Sequence, residues 1–308
     1  MSYRLLSYEH QGQARSGILI EGNIHDVEAL SGRREWASVA GMLDSWPQAH
    51  AFCSGQARTL APGAAGKGIA LAQAKLLAPL PHPGTIYCAG ANYSDHVKEM
   101  AKARGAEMGP TMKDLGEKAW HFMKARNSVA GPGTVVKTPN DTHRLDWEIE
   151  LAVVIGRPAK DVKAADALKY VAGYTIANDL SARDHSRRTK LQPAALMFYD
   201  WVGHKSFDGS CPIGPWMVPA DEIPNPDELD MRLWVGDELM QDSNSRHQIF
   251  NVSEQIEALS SRITLQPGDL VLTGTPAGVG NGRQRFLQPG EKVRLWIERI
   301  GEFEHTIG

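Results

Sequence analysis

The chain has 308 residues, 42% apolar and 22% charged, with a formal charge of −3, which is enough for one large core or a main domain with a small appendage. That balance supplies no field to recruit nucleic acid. No stretch is long and apolar enough for a signal peptide or a membrane span, so a cytoplasmic protein without nucleic-acid or membrane partners is expected.

Residues 3 to 30 alternate short apolar runs with turn residues, and Gly17 to Val27 reads as a hairpin turning near Gly22 and Asn23. A small β unit is therefore expected at the start. Cys53, Cys88 and Cys211 are odd in number and far apart, which argues for reduced, structural thiols over a disulfide framework or zinc site. The glycine- and alanine-rich stretch 61–69 reads as a connecting loop, and the boundary between two domains, 1–75 and 76–308, is placed just after it. Pro83 to Gly90 reads as a short strand between breakers. The charges of Asn92 to Met100 then recur at helical spacing, with a helix expected from near Ser94. Residues 101–118 hold few large apolar groups and read as a peripheral, mobile excursion or part of a lid.

Asp146 to Gly156 is the most apolar strand-like run, and two glutamates punctuate it. In a strand Glu148 and Glu150 share one face while Ile149, Leu151, Val153 and Ile155 take the other. From Leu151 onward both faces are apolar, so the strand should be covered on both sides, with the acids where it opens to solvent. Two carboxylates converging there repel each other unless a cation joins them, and oxygen ligands suit Mg2+, Mn2+ or Ca2+. A pair of solvated acids at a strand end is the alternative.

Val171 to Asp179 reads as another strand, with Asp179 at a strand-to-helix corner as a ligand or an ordinary turn residue. Ser181-Ala182-Arg183-Asp184 after it carries the capping-box signature of a helix start. His96 and Glu99 share a helix face, which suits an oriented general base or merely a charged surface helix. Lys205, near Trp201 and Phe207, reads as a lone cation able to stabilise an oxyanion, or as a snorkelling lysine. Residues 265–272 and 287–296 repeat one sentence, Leu-Gln-Pro-Gly leading into an apolar run, which predicts two strands each entered by a type II turn. The C-terminal third should be mainly β. Leu272 to Gly280 is glycine-rich but lacks the Gly-Lys-Ser/Thr ending of a phosphate loop and is followed by Asn281-Gly282-Arg283, read as non-helical; a nucleotide site is rejected. Its glycines and hydroxyl instead suit close backbone approach to a small anion.

In combination, Asn92 to Met100, Trp147 to Gly156, Gly173 to Asp184, Lys205 to Pro215 and Thr273 to Gly280 resemble the fumarylacetoacetate hydrolase superfamily over roughly residues 80–300. The resemblance implies an α+β fold, a mixed β-roll with a small N-terminal β domain, commonly a homodimer. It implies Mg2+ or Mn2+ held by Glu148, Glu150 and Asp179, with Ca2+ as a non-native occupant. It also implies a catalytic dyad of His96 and Glu99 in a lid helix, a catalytic Lys205, and a substrate lined by Arg183, Thr275, Tyr93 and Gly274. His185 stands where the family often has Gln, and residues 185–201 are longer and more apolar than expected. The implied activity is hydrolytic carbon–carbon cleavage of an acylpyruvate-like 2,4-dioxo acid such as fumarylpyruvate. Decarboxylation of oxaloacetate, hydration, isomerisation or tautomerisation on the same site, or a noncatalytic ligand-binding protein with a structural cation, are the alternatives.

Overall fold

The computed structural model describes residues 2–60 and 68–308. The stretch 61–67 of the expected connecting loop lies outside these residues, while Ile69 and Ala70 are already a short strand.

The site hangs on one strand, Ile149–Ile155, which is buried along its whole length. Its odd-numbered residues pack toward Leu233, Leu295 and Ile297 of a five-stranded sheet, and Ala152 and Val154 pack with Trp36, Met42, Leu43, Trp46 and Cys53 on the other side. Burial on both faces explains the unbroken apolar run, and the parity expected from sequence holds. The strand sits between Val171–Asn178 and Leu270–Leu272, antiparallel to both. Ile86–Ala89 and His121–Lys124 extend the sheet on the Leu270–Leu272 side. Cys211–Pro219, Arg4–His10, Gln13–Ile20, Asn23–Asp26 and Ile69–Ala70 extend it on the other. The sheets stay open and mixed, with few helices. Among the described residues no helix is long and apolar enough to cross a membrane.

The expected hairpin forms between Gln13–Ile20 and Asn23–Asp26, with Glu21 and Gly22 at positive φ in its turn. Arg4–His10 pairs onward with Cys211–Pro219 through Leu5 and Met217, so the first strands continue the central sheet. The helices between residues 27 and 59 had no counterpart in the sequence reading. Val39–Leu43 is capped by Ser38, whose hydroxyl accepts from the Gly41 N–H, and Trp46–Thr59 buries Trp46, Ala49, Cys53 and Ala57 along one stripe. Small residues at helical spacing gave too weak an apolar signal to read.

Both Pro-Gly sentences are turns with glycine at positive φ, 85° at Gly268 and 91° at Gly290, followed by strands Leu270–Leu272 and Lys292–Ile297. Beside the first, the buried Asp269 carboxylate accepts from the N–H groups of Thr85 at 2.7 Å and Gln266 at 2.8 Å. Asp269→Ala strands both donors and is expected to cost about 1–3 kcal/mol per donor. Urea unfolding reads this loss, and an unchanged midpoint would show that water reaches those groups.

A helix spans Ser94–Ala103, and residues 104–120 continue as turns and coil. This excursion is tied to helix Val252–Ser260 by Lys113 Nζ, 2.6 Å from Glu254. Residues 185–201 run over the surface with Leu196 and Met197 exposed.

Candidate metal centre and its cavity

Strand register assembles the acids. Glu150 pairs across the ladder with Ala177, so Asp179, just past the end of Val171–Asn178, falls beside Glu148. The junction is locked twice: the Asp179 N–H donates to the Glu148 carbonyl at 2.9 Å, and the Glu148 N–H donates to Asn178 Oδ1 at 2.9 Å. One oxygen from each of Glu148, Glu150 and Asp179 lies within 4.8 Å of the others. The acids do not open to solvent as expected, because Glu148 is 6% exposed and Glu150 and Asp179 are 1% exposed.

Cations replace the missing water. Lys205 Nζ lies 2.8 Å from Glu148 Oε2 and 2.5 Å from Asp179 Oδ2, and Lys124 Nζ lies 2.6 Å from Asp179 Oδ1. Arg183 pairs with Glu148 Oε1 and, at 2.8 Å, with Asp146 Oδ2. Burial would raise the Glu148 carboxyl, but Lys205 and Arg183 outweigh it and hold that group well below the usual range. Among the described residues Glu150 makes no such ion pair. Burial first, then the charges of Asp179 and Glu148, push it well above the carboxylate range, and its Oε2 accepts the Gly274 N–H at 2.6 Å. A buried all-oxygen set that destabilises its own third charge fits a hard divalent cation, which would offset the repulsion between Glu150 and its two carboxylate neighbours.

Glu148 and Lys205 form part of the floor of a cavity of about 580 Å³, lined also by His96, Arg183, Thr275, Trp120, Phe122, Trp201 and His204. His96 enters it from helix Ser94–Ala103. Its Nδ1 stands 3.5 Å from Glu99 Oε2, and both Glu99 oxygens accept the Gly278 N–H, at 3.0 and 3.1 Å. Burial raises the Glu99 carboxyl, but the neighbouring His96 imidazole and the Gly278 N–H prevail and hold it below the usual range, behind the imidazole. Gly278 adopts φ 100°, and a Cβ there would stand 2.2 Å from the Met240 carbonyl, so the loop that pins Glu99 requires glycine.

The other residues singled out from sequence are placed as follows. Thr275 lines the cavity and accepts from Gln241 Nε2 at 2.9 Å. Gly274 serves Glu150 through its N–H. Tyr93 is fully buried outside the cavity lining, its hydroxyl donating to Met231 Sδ and accepting from Gln248 Nε2, both at 3.2 Å. Lys205 is not a lone cation: it shares Asp179 with Lys124, and the ring it faces is Phe122, 5.2 Å from Nζ to centroid.

Two further expectations change. Ser181 and Asp184 form no capping box, because Ser181 donates to the Asp179 carbonyl and Asp184 accepts from Thr142 and the His143 N–H, and only a 3-10 turn, Arg183–Ser186, follows. Gly280–Arg283 is a helical turn after all, with the Gly280 and Asn281 N–H groups donating to Asp146. Asp146, on the same strand face as Glu148 and Glu150, organises Arg183 and that turn, and Lys124, which the sequence reading did not single out, completes the charge cluster. Phe122 and Lys124 share one face of His121–Lys124, the signal that was available.

The profile of the fumarylacetoacetate hydrolase C-terminal family matches residues 85–308. A mitochondrial oxaloacetate tautomerase of Rattus norvegicus is 38% identical over 231 residues, 74% of this chain and 68% of that one. Among solved structures, maleylpyruvate hydrolase from Sphingobium sp. SYK-6, in complex with manganese(II) and pyruvate, superposes with a TM-score of 0.73 at 28% identity, covering 99% of this chain and 98% of the other. A 2-hydroxyhepta-2,4-diene-1,7-dioate isomerase from Mycobacterium marinum superposes with a TM-score of 0.71, also at 28% identity and with 99% and 98% coverage.

Proposed function

Because this chain belongs to the fumarylacetoacetate hydrolase family, we propose that it is an enzyme whose Glu148, Glu150 and Asp179 hold Mg2+ or Mn2+ and which cleaves an acylpyruvate-like 2,4-dioxo acid to pyruvate and a carboxylic acid. The observation that carries this reading is His96, backed by the ionised Glu99, in the wall of a cavity whose floor holds Glu148 and Lys205. The manganese and pyruvate of the Sphingobium structure support it. When bound, the ion would supply Lewis acidity to the 2-oxo acid head and a fixed point to orient it.

The side chains do the rest. With Nδ1 turned to Glu99, His96 offers Nε2 to water and takes one proton as the water oxygen bonds to the 4-carbonyl carbon. The Lys205 ammonium stabilises the alkoxide that forms. Collapse breaks the bond between carbons 3 and 4 and leaves the electron pair on carbon 3 as the enolate of pyruvate. His96 returns its proton there, so one water is consumed and one carboxylic acid and one pyruvate leave.

Similarity to the rat oxaloacetate tautomerase favours a second reading, in which His96 moves one proton between carbon 3 and the 2-oxygen, interconverting keto and enol with no attack by water. Screening the protein with Mg2+ or Mn2+ against acylpyruvates and oxaloacetate separates the two. Release of pyruvate from an acylpyruvate is the expected result. Rapid enol–keto exchange of oxaloacetate with no pyruvate from any acylpyruvate would replace hydrolysis by tautomerisation.

A further inference from the structure

We infer that the cavity selects a 2-oxo acid whose far end is a planar, uncharged aromatic group; this rests on the 2-oxo acid reading of the site and adds the class of the acyl group. One wall is built from three rings. Phe122 and Trp201 stack with centroids 5.3 Å apart at 23°, and Trp120 stands 5.3 Å from Trp201 and 5.9 Å from Phe122. The wall begins where the head of the substrate would end, because the Phe122 ring is also the one over Lys205. Trp120 and Trp201 are 43% and 40% exposed, and both line the one cavity. Trp120 also abuts bare backbone: a Cβ on Gly90 would stand 2.3 Å from the edge of its ring, so only glycine leaves the indole its place.

Two of the charges that line this cavity are already engaged. Arg183 is paired with Asp146 and Glu148, and Lys205 with Glu148 and Asp179. His204 lies 5.9 Å from Trp201, 8% exposed, with Nε2 lacking a partner in the described structure. Burial, then the charges of Lys205 and Arg183, push its imidazole down to about 2, so it meets a ligand as a neutral hydrogen-bonding group. A distal carboxylate would lie against the negative faces of the rings, whereas an aryl group stacks on them. The exposed Arg104 at the rim is the group that would reverse this choice.

Three 2-oxo acids without a 4-carbonyl, and so not cleavable by this chemistry, test the wall by calorimetry on the Mn2+-loaded protein. They are 4-phenyl-2-oxobutyrate, 2-oxopentanoate and 2-oxoadipate. The phenyl compound is expected to bind about tenfold tighter than the other two and to quench tryptophan fluorescence. Trp201→Ala should erase that margin by weakening the phenyl compound far more than 2-oxopentanoate, and Trp201→Phe should keep most of it. Equal binding of all three, or tightest binding of 2-oxoadipate, would overturn the aromatic selection and leave the 2-oxo acid site standing. Binding of none would overturn both.

Discussion

His96→Ala is expected to leave Mn2+ binding intact and to slow turnover about 10²- to 10⁴-fold, the range a positioned general base supplies. The separation follows from the geometry. His96 lies on helix Ser94–Ala103, outside the triad whose oxygens gather within 4.8 Å, and it touches the cavity through a ring held by Glu99. Glu99→Gln should be milder, because the amide can still accept from the Gly278 N–H yet cannot stabilise an imidazolium. Steady-state rates beside a metal titration read the difference. Unchanged turnover in His96→Ala would remove the dyad from the chemistry.

Glu150→Gln is expected to weaken Mn2+ binding more than about 100-fold, beyond the 10- to 100-fold cost of losing a mere outer partner of a metal ligand, and to abolish metal-dependent activity. The fold should survive, because among the described residues Glu150 makes no ion pair and its charge is opposed chiefly by burial, Asp179 and Glu148. The metal-free variant should melt no lower than the parent. Glu148→Ala makes the contrast: it leaves Lys205 and Arg183 without their shared carboxylate and is expected to cost about 3–5 kcal/mol of stability. A metal-free Glu150→Gln protein as unstable as Glu148→Ala would show that Glu150 is part of the charge network and not its surplus acid.

Much of the centre was legible because strand parity is a strong rule. Glu148 and Glu150 alternate with Ile149 and Leu151, and Asp179 closes a strand whose register brings it alongside. What parity could not give was depth. The acids looked solvated because the cations that neutralise them, Lys124 and Lys205, come from segments 24 and 57 residues from Glu148, and nothing local announces the pairing. The N-terminal helices stayed hidden because Ala49, Cys53 and Ala57 pack as small residues with little apolar contrast. Ser181 and Asp184 misled for the opposite reason: a good local capping pattern was overridden when Asp184 found Thr142 and His143 far along the chain.

Oxalate, a planar mimic of the pyruvate enolate, gives the most direct test of the metal centre as a 2-oxo acid site. Titrated into metal-stripped protein it should give no heat, and titrated after one equivalent of Mn2+ it should bind at a single site per chain, a response lost in Glu150→Gln. Oxalate binding that is indifferent to Mn2+, or Mn2+ binding with no response to oxalate, would contradict it.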